Sequence, residues 1–157
     1  MQTVLRIITS AVLFWLLMIV GRAQDQTVEI SQLPPEVAAT LKARFPGAKI
    51  TAATKELENG EVVYDIEMTR AGRKHEADLK ADGTIVNFEN EVAVADLPAA
   101  VAGAVKAKHP GCTIKEAMAV MVIRNKKDVL DEYEVVIVAA DKKELELAVS
   151  PDGKTIK

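Results

Sequence analysis

Residues 33–51 read LPPEVAATLKARFPGAKIT, and residues 97–115 read LPAAVAGAVKAKHPGCTIK. Aligned at a spacing of 64, nine of these 19 positions are identical, from Leu33/Leu97 to Ile50/Ile114. Self-similarity of this strength predicts a duplicated unit. Each copy opens as a helix. Pro34 and Pro98 suit a first helical turn, where the missing N–H costs nothing. Val37, Leu41 and Phe45 recur at every fourth residue, as do Val101, Val105 and His109, so each helix carries one apolar stripe. Pro46-Gly47 and Pro110-Gly111 then stop the helices.

Downstream of each helix the period changes to two. Residues 50–57 are β-prone, and Asn59-Gly60 is a two-residue hairpin signal. Val62, Tyr64, Ile66 and Met68 alternate with Val63, Asp65, Glu67 and Thr69, the pattern of a half-buried strand. Ala71-Gly72-Arg73 turns the chain. His75, Ala77 and Leu79 alternate with charged residues up to the turn at Asp82-Gly83, and a further strand covers 84–88. In the second copy, strands are expected over 114–123, 133–139 and 145–149. Tyr64 matches Tyr133 and Asp82-Gly83 matches Asp152-Gly153, with the spacing grown to 69 and 70. The second copy has therefore gained residues, and the loop around 125–128 is the expected place. One unit of about 60 residues buries too little surface to be stable alone, so the two are expected to pack together. The expected class is α+β: a tandem duplication of a helix plus a three- or four-stranded antiparallel sheet, with the helices on one sheet face.

The 157 residues are 49% hydrophobic and 27% charged, with a formal net charge of −3, which is an ordinary globular composition. A weakly acidic balance argues against a nucleic-acid partner. Residues 1–23 differ from the rest. Arg6 precedes an apolar run over 7–20, broken only by Thr9 and Ser10, and Gly21-Arg22-Ala23 supplies small residues at a cleavage site. This is the order of a secretory signal peptide. The run of 14 residues falls short of the ~20 that span a bilayer. An uncleaved anchor, with Trp15 as its interfacial aromatic, is the other reading. Cleavage would leave 134 residues with a net charge of −5 and no stable membrane insertion. The expected organisation is an export signal over 1–23, a lead-in over 24–32, a first repeat over 33–96 and a second over 97–157.

Taken together, an export signal, two copies of LPxxV…(F/H)PG…I, a Tyr-bearing alternating strand and a terminal Asp-Gly hairpin resemble the PepSY-like family of exported bacterial proteins. The resemblance covers residues 31–157. It implies a fold like that of the β-lactamase inhibitor proteins and a place in the cell envelope, periplasmic or extracellular. It also implies binding or inhibition of a secreted enzyme. Its motifs are helix stops and turns, so no catalytic residue carries over.

Few residues offer chemistry. His75 lies in KHEAD, but alternation puts Glu76 and Asp78 on the opposite strand face, so the three cannot share a metal. His109 is expected to end the second helix. Cys112 matches Ala48 and reads as a small residue at a strand entrance; being alone, it forms no internal disulfide. Ser31 reads as a helix cap and Ser150 as a turn residue. Asp82-Gly83 and Asp152-Gly153 lack the further acids of a calcium loop and read as hairpin turns. The carboxylates interleave with Lys, as on a solvated surface. No catalytic residue, cofactor site or metal site is expected, and the chain is not expected to be an enzyme.

The second repeat has apolar residues on both strand faces. Tyr133, Val135 and Ile137 alternate with Val136 and Val138, and Met118, Val120 and Val122 alternate with Ala119, Met121 and Ile123. One face covers the helix and the other needs a second cover. The candidate partner-binding face is Ala119, Met121, Ile123, Val136 and Val138; the other repeat and a second copy of the chain, giving a homodimer, are the other covers. Charge is also uneven: residues 33–96 sum to −4 and 97–157 to +1. Arg124, Lys126 and Lys127 form a candidate binding loop that would steer an acidic partner. The expected function is an exported, non-enzymatic binding module for a secreted or envelope protein such as a peptidase. The alternative is a small-ligand or metal-responsive envelope protein using His75, His109 and surface carboxylates.

Overall fold

A computed structural model of the chain describes residues 26–58 and 60–157, so the expected export signal lies outside the described residues. Eight strands follow one another through a single antiparallel sheet in chain order: β1 (Gln26–Thr27), β2 (Lys49–Glu58), β3 (Glu61–Arg70), β4 (Arg73–Lys80), β5 (Ile85–Glu91), β6 (Thr113–Arg124), β7 (Lys127–Val138) and β8 (Glu144–Val149). The helix α1 (Pro35–Arg44) precedes β2 and α2 (Ala99–Lys108) precedes β6. Both helices pack on the same side of the sheet. The strands of both halves form one continuous sheet, joined where Phe88 of β5 pairs with Met121 of β6.

Geometry recurs at the spacing of 64. Short 3₁₀ turns at Ile30–Gln32 and Val94–Asp96 lead into the two helices. Val28 N–H donates to the Ala53 carbonyl, and Val92 N–H to the Ala117 carbonyl. Bulges interrupt the ladders between Ile50 and Ala52 and between Ile114 and Glu116. The lead-in thus belongs to the fold, with Gln26–Thr27 closing the edge of β2.

Two apolar cores lie under the helices. Val37, Leu41 and Phe45 of α1 pack on Ile66, Met68, Leu79 and Phe88. Val101 and Val105 of α2 pack on Val135, Ile137, Leu147 and Val149. Each fully buried Val, Leu or Ile contributes roughly 1.5–3 kcal/mol, so each core suffices to pin a helix of only ten residues.

Several local expectations are corrected. Pro34 and Pro98 sit one residue before the helices as their caps, and Pro34 offers no capping side chain. Ser31 lies inside the first 3₁₀ turn rather than capping α1. The gained residues of the second half form no loop: β6 and β7 run on to pair Arg124 with Lys127, and only Asn125 and Lys126 turn the chain, both with positive φ. Both are exposed left-handed positions, as a two-residue hairpin requires.

Candidate functional site

The sheet face away from the helices is the candidate site. Neither α1 nor α2 packs on it. Register assembles it from five strands. Glu67 of β3 stands opposite Glu76 of β4, Glu76 opposite Glu89 of β5, Glu89 opposite Val120 of β6, and Val120 opposite Glu132 of β7. One row across the sheet is thus acid, acid, acid, valine, acid. The neighbouring row pairs Asp65 with Asp78, and Asp78 with Asn87, next to Val122. Side chains directly opposite on one face are about 4.5–5.5 Å apart at Cβ, and like charges there destabilise a sheet. This sheet has three such pairs side by side.

The carboxylates are also removed from water. Glu89 is 4% exposed, Glu134 3% and Glu76 8%. Oε2 of Glu89 accepts no hydrogen bond. Burial, reinforced by the charges of Glu134 and Glu76, pushes the Glu89 carboxyl up to about 9. Burial and the neighbouring Asp78 charge push Asp65 up to about 8. Burial raises Asp78 to about 7, although Asn87 Nδ2 donates to its Oδ2 at 2.8 Å and works against the shift. Groups of this kind are charged or protonated near neutral pH according to small changes in surroundings.

Lys74 is the cation at the centre. Its Nζ lies 2.7 Å from Glu76 Oε1 and 3.5 Å from Glu116 Oε1. Burial lowers its pKa, but the hydrogen bond and charge of Glu76 outweigh that and hold it above the usual lysine value. Glu91 is held by the Lys74 backbone N–H at 2.7 Å. Along β6, Met118, Val120 and Val122 form an apolar strip flanked by the acids, 5%, 3% and 6% exposed. The face is therefore amphipathic: carboxylates on β3–β5, an apolar strip on β6, and carboxylates again on β7.

The structure divides the residues expected to form the partner face. Met121 pairs with Phe88 and packs against the first core, on the helix side, and Ala119 shares that side by pairing with Tyr133. Val136 pairs with Glu116, and Val138 with Thr113, on the open side. Ile123 is 41% exposed near the hairpin end. The bulge at Lys115 is the cause: Ile114 points at α2, and the extra residue shifts every later β6 side chain to the other face. Of the proposed set, Val136 and Val138 belong to the open face. Their β6 companions there are Met118, Val120 and Val122, not Ala119, Met121 and Ile123.

The candidate loop residues sit at the hairpin end. Arg124 pairs with Asp131, and Asp128 pairs with Arg44 at the end of α1. Lys127 belongs to β7, and Lys126 is exposed at the turn. The guanidinium of Arg44 also lies 5.1 Å from the Phe88 ring centroid. The hairpin of the second half is thus tied to the helix of the first.

The remaining candidates take structural places. His75 is 8% exposed on the helix side, with Nδ1 2.9 Å from Asn90 Oδ1. His109 caps the C-terminus of α2, its N–H donating to the Val105 carbonyl. Cys112 packs at the edge of the second core. Ser150 Oγ donates to Asp152 Oδ1 at 2.7 Å inside the last turn. Among the described residues, no three His, Cys, Asp or Glu converge as metal ligands. A cavity of about 380 Å³ under α1 is lined by residues such as Leu33, Leu41, Phe45 and Ile50, with Lys42 its one charged wall.

This arrangement of sheet and helices recurs in solved structures. A BLIP-like protein from Bacteroides fragilis aligns with a TM-score of 0.54 at 21% identity, over 78% of this chain and 83% of that one. The fold is BLIP-like. A DUF2874 family protein from Bacteroides uniformis gives 0.60 at 16% identity, over 79% and 88% of the two chains. A Bacteroides eggerthii protein described as periplasmic gives 0.61 at 15% identity, over 79% and 87%. No family model matches the chain, and no curated protein matches it in sequence. The likeness is one of architecture, and function has to be argued from the face itself.

The acidic row was missed in the sequence because its members are far apart in the chain. The signal that finds it is the period-two phase: Asp65/Glu67, Glu76/Asp78, Glu89/Glu91 and Glu132/Glu134 each fall opposite the apolar set of their own strand.

Proposed function

We propose that this chain is an exported, non-enzymatic binding module, built from two PepSY-like repeats, that presents the sheet face opposite its helices to a protein partner in the cell envelope. The observation that carries the reading is the face itself: an apolar strip and a carboxylate band on a sheet whose other side packs against two helices. A protein that keeps three carboxyl–carboxyl cross-strand pairs on such a face forgoes stability there whenever both members ionise, and sites that do so are commonly functional. The carboxylates are spread along strands instead of converging on one reacting atom, which favours recognition over catalysis. The export signal read over 1–23, together with the periplasmic assignment of the Bacteroides eggerthii protein, supports a periplasmic location. The BLIP-like fold supports a secreted or envelope enzyme, such as a peptidase, as the class of partner.

Affinity capture from the envelope fraction tests this. The purified protein is expected to retain a defined partner. A Val122→Asp/Val136→Asp variant, folded by circular dichroism, is expected to lose it. Equal capture by both forms would remove the open face from the account. A doubled mass in sedimentation, lost in the same variant, would assign the face to a second copy of the chain instead.

A further inference from the structure

The open face makes no use of the cavity under α1. That cavity holds about 380 Å³, within the range of small-molecule sites. Its floor is apolar and buried, made by Leu33, Leu41, Phe45 and Met68. Its walls reach solvent: Ile30 is 46% exposed, and Ala38, Lys42 and Pro46 are exposed as well. The local sequence builds it. The helix α1 stops at Arg44, and Pro46-Gly47, with Gly47 at a φ of +80°, turns the chain back into β2. The helix end, the 3₁₀ turn at Ile30–Gln32 and the start of β2 then enclose the space between them. An apolar cavity holds water poorly and takes apolar molecules instead. One wall is charged, however. Lys42 stands in the last turn of α1, and among the described residues no carboxylate pairs with it. Arg70 lies two residues beyond Met68 on the same strand face and pairs across the hairpin with Arg73, so positive charge gathers at this end of the sheet.

We propose that this cavity binds the alkyl chain of an amphipathic carboxylate, of the medium-chain fatty acid class, with the carboxylate at Lys42 and the chain against Leu41, Phe45 and Met68. The site is separate from the open face and does not depend on the partner read there. A neutral apolar molecule would leave Lys42 without a partner, and an alkylammonium would meet it with like charge. A hydrogen bond from an ammonium to a carboxylate is about twice as strong as a neutral one. Each methylene taken out of water tightens binding about fourfold. The matching positions of the second half are Ala102, Lys106 and His109, and they line no part of this cavity.

Isothermal titration of the purified protein at neutral pH tests this with hexanoate, octanoate, octylammonium and N-acetylleucinamide. Octanoate is expected to bind at least about tenfold more tightly than hexanoate, from its two further methylenes, and more tightly than the other two. Lys42→Met keeps the stem and removes the charge, and is expected to weaken octanoate about tenfold. Lys106→Met makes the same change at the matching place on α2 and is expected to leave binding as it is. Ala38→Leu narrows the cavity from an exposed position and is expected to abolish binding, with thermal unfolding as the check that the fold stands. Ala102→Leu is its silent counterpart. No binding of octanoate would overturn the proposal, as would undiminished binding in Ala38→Leu or equal loss in Lys42→Met and Lys106→Met. Octylammonium binding as tightly as octanoate would overturn it too. Equal binding of N-acetylleucinamide and octanoate would mean that the cavity takes an apolar side chain of a partner protein, which also contradicts the proposal.

Discussion

Replacing Gly153 with alanine is expected to cost about 3 kcal/mol or more of stability, a fall of about 10 °C in Tm for a domain of this size. Gly153 has a φ of +70°, a region that costs an L-residue about 1–2 kcal/mol. The added Cβ would also stand 2.4 Å from the Ala100 carbonyl oxygen and 2.8 Å from its carbon. That carbonyl belongs to the backbone of α2, so relief would require lifting the helix from the sheet. The first half repeats the contact: a Cβ on Gly83, at a φ of +80°, would meet the Glu36 carbonyl oxygen and Thr40 Oγ1 at 2.7 Å. Gly72 gives the control, with a φ of +76° but open space around it. Urea or thermal unfolding of Gly153→Ala and Gly72→Ala separates the two causes. A loss in Gly153→Ala no larger than in Gly72→Ala would mean that the last turn does not pack against α2 as described.

The second large effect is a stability that falls as pH rises from 5 to 9. Asp65, Asp78 and Glu89 titrate in the folded protein at about 8, 7 and 9, above their ordinary values of 3.8, 3.8 and 4.5. The folded state thus binds more protons than the unfolded state between these limits. Their contribution is fully present below about pH 4 and is lost as pH climbs through the folded values. Asp152 shifts the other way, to about 2, held down first by the Ser150 hydroxyl, but that contribution is complete well below pH 5. Calorimetry is expected to show Tm lower at pH 9 than at pH 5 by about 3–7 °C, a difference of about one to two kcal/mol. Glu89→Gln, which keeps the size and removes the charge, is expected to raise Tm at pH 9 and flatten the profile. A Tm that is higher at pH 9 than at pH 5 would contradict the buried carboxylate row.

Much of this architecture is legible in the sequence, and the illegible part has a physical cause. The four-residue spacing of Val37, Leu41 and Phe45, and of Val101 and Val105, identifies helix faces that are buried in the structure. Gly60, Ala71-Gly72 and Asp82-Gly83 mark turns because left-handed backbone restricts which residues fit there. Period two inside β3 and β4 separates Ile66 and Leu79 from Asp65 and Asp78. What periodicity cannot carry is phase across an irregularity. One extra residue at Lys115 turns Met121 toward the first core and Val120 toward the open face, and a second irregularity after Val120 does the same for its partners on β7. Nor can it show register between distant strands, which is what aligns Glu67, Glu76, Glu89 and Glu132. Interleaved lysines made these acids look solvated, whereas Lys80 leaves the row to pair with Glu61 at 2.6 Å.

The open face as the binding surface is the central claim, and site-specific photo-cross-linking reads it most directly. A benzoylphenylalanine at position 136, on the open face, and another at position 102, on the half-buried flank of α2, would each be activated in cells producing the full chain. The account predicts a discrete adduct of higher mass from position 136 and none from position 102. Adducts from position 102 alone, or equally from both, would contradict it.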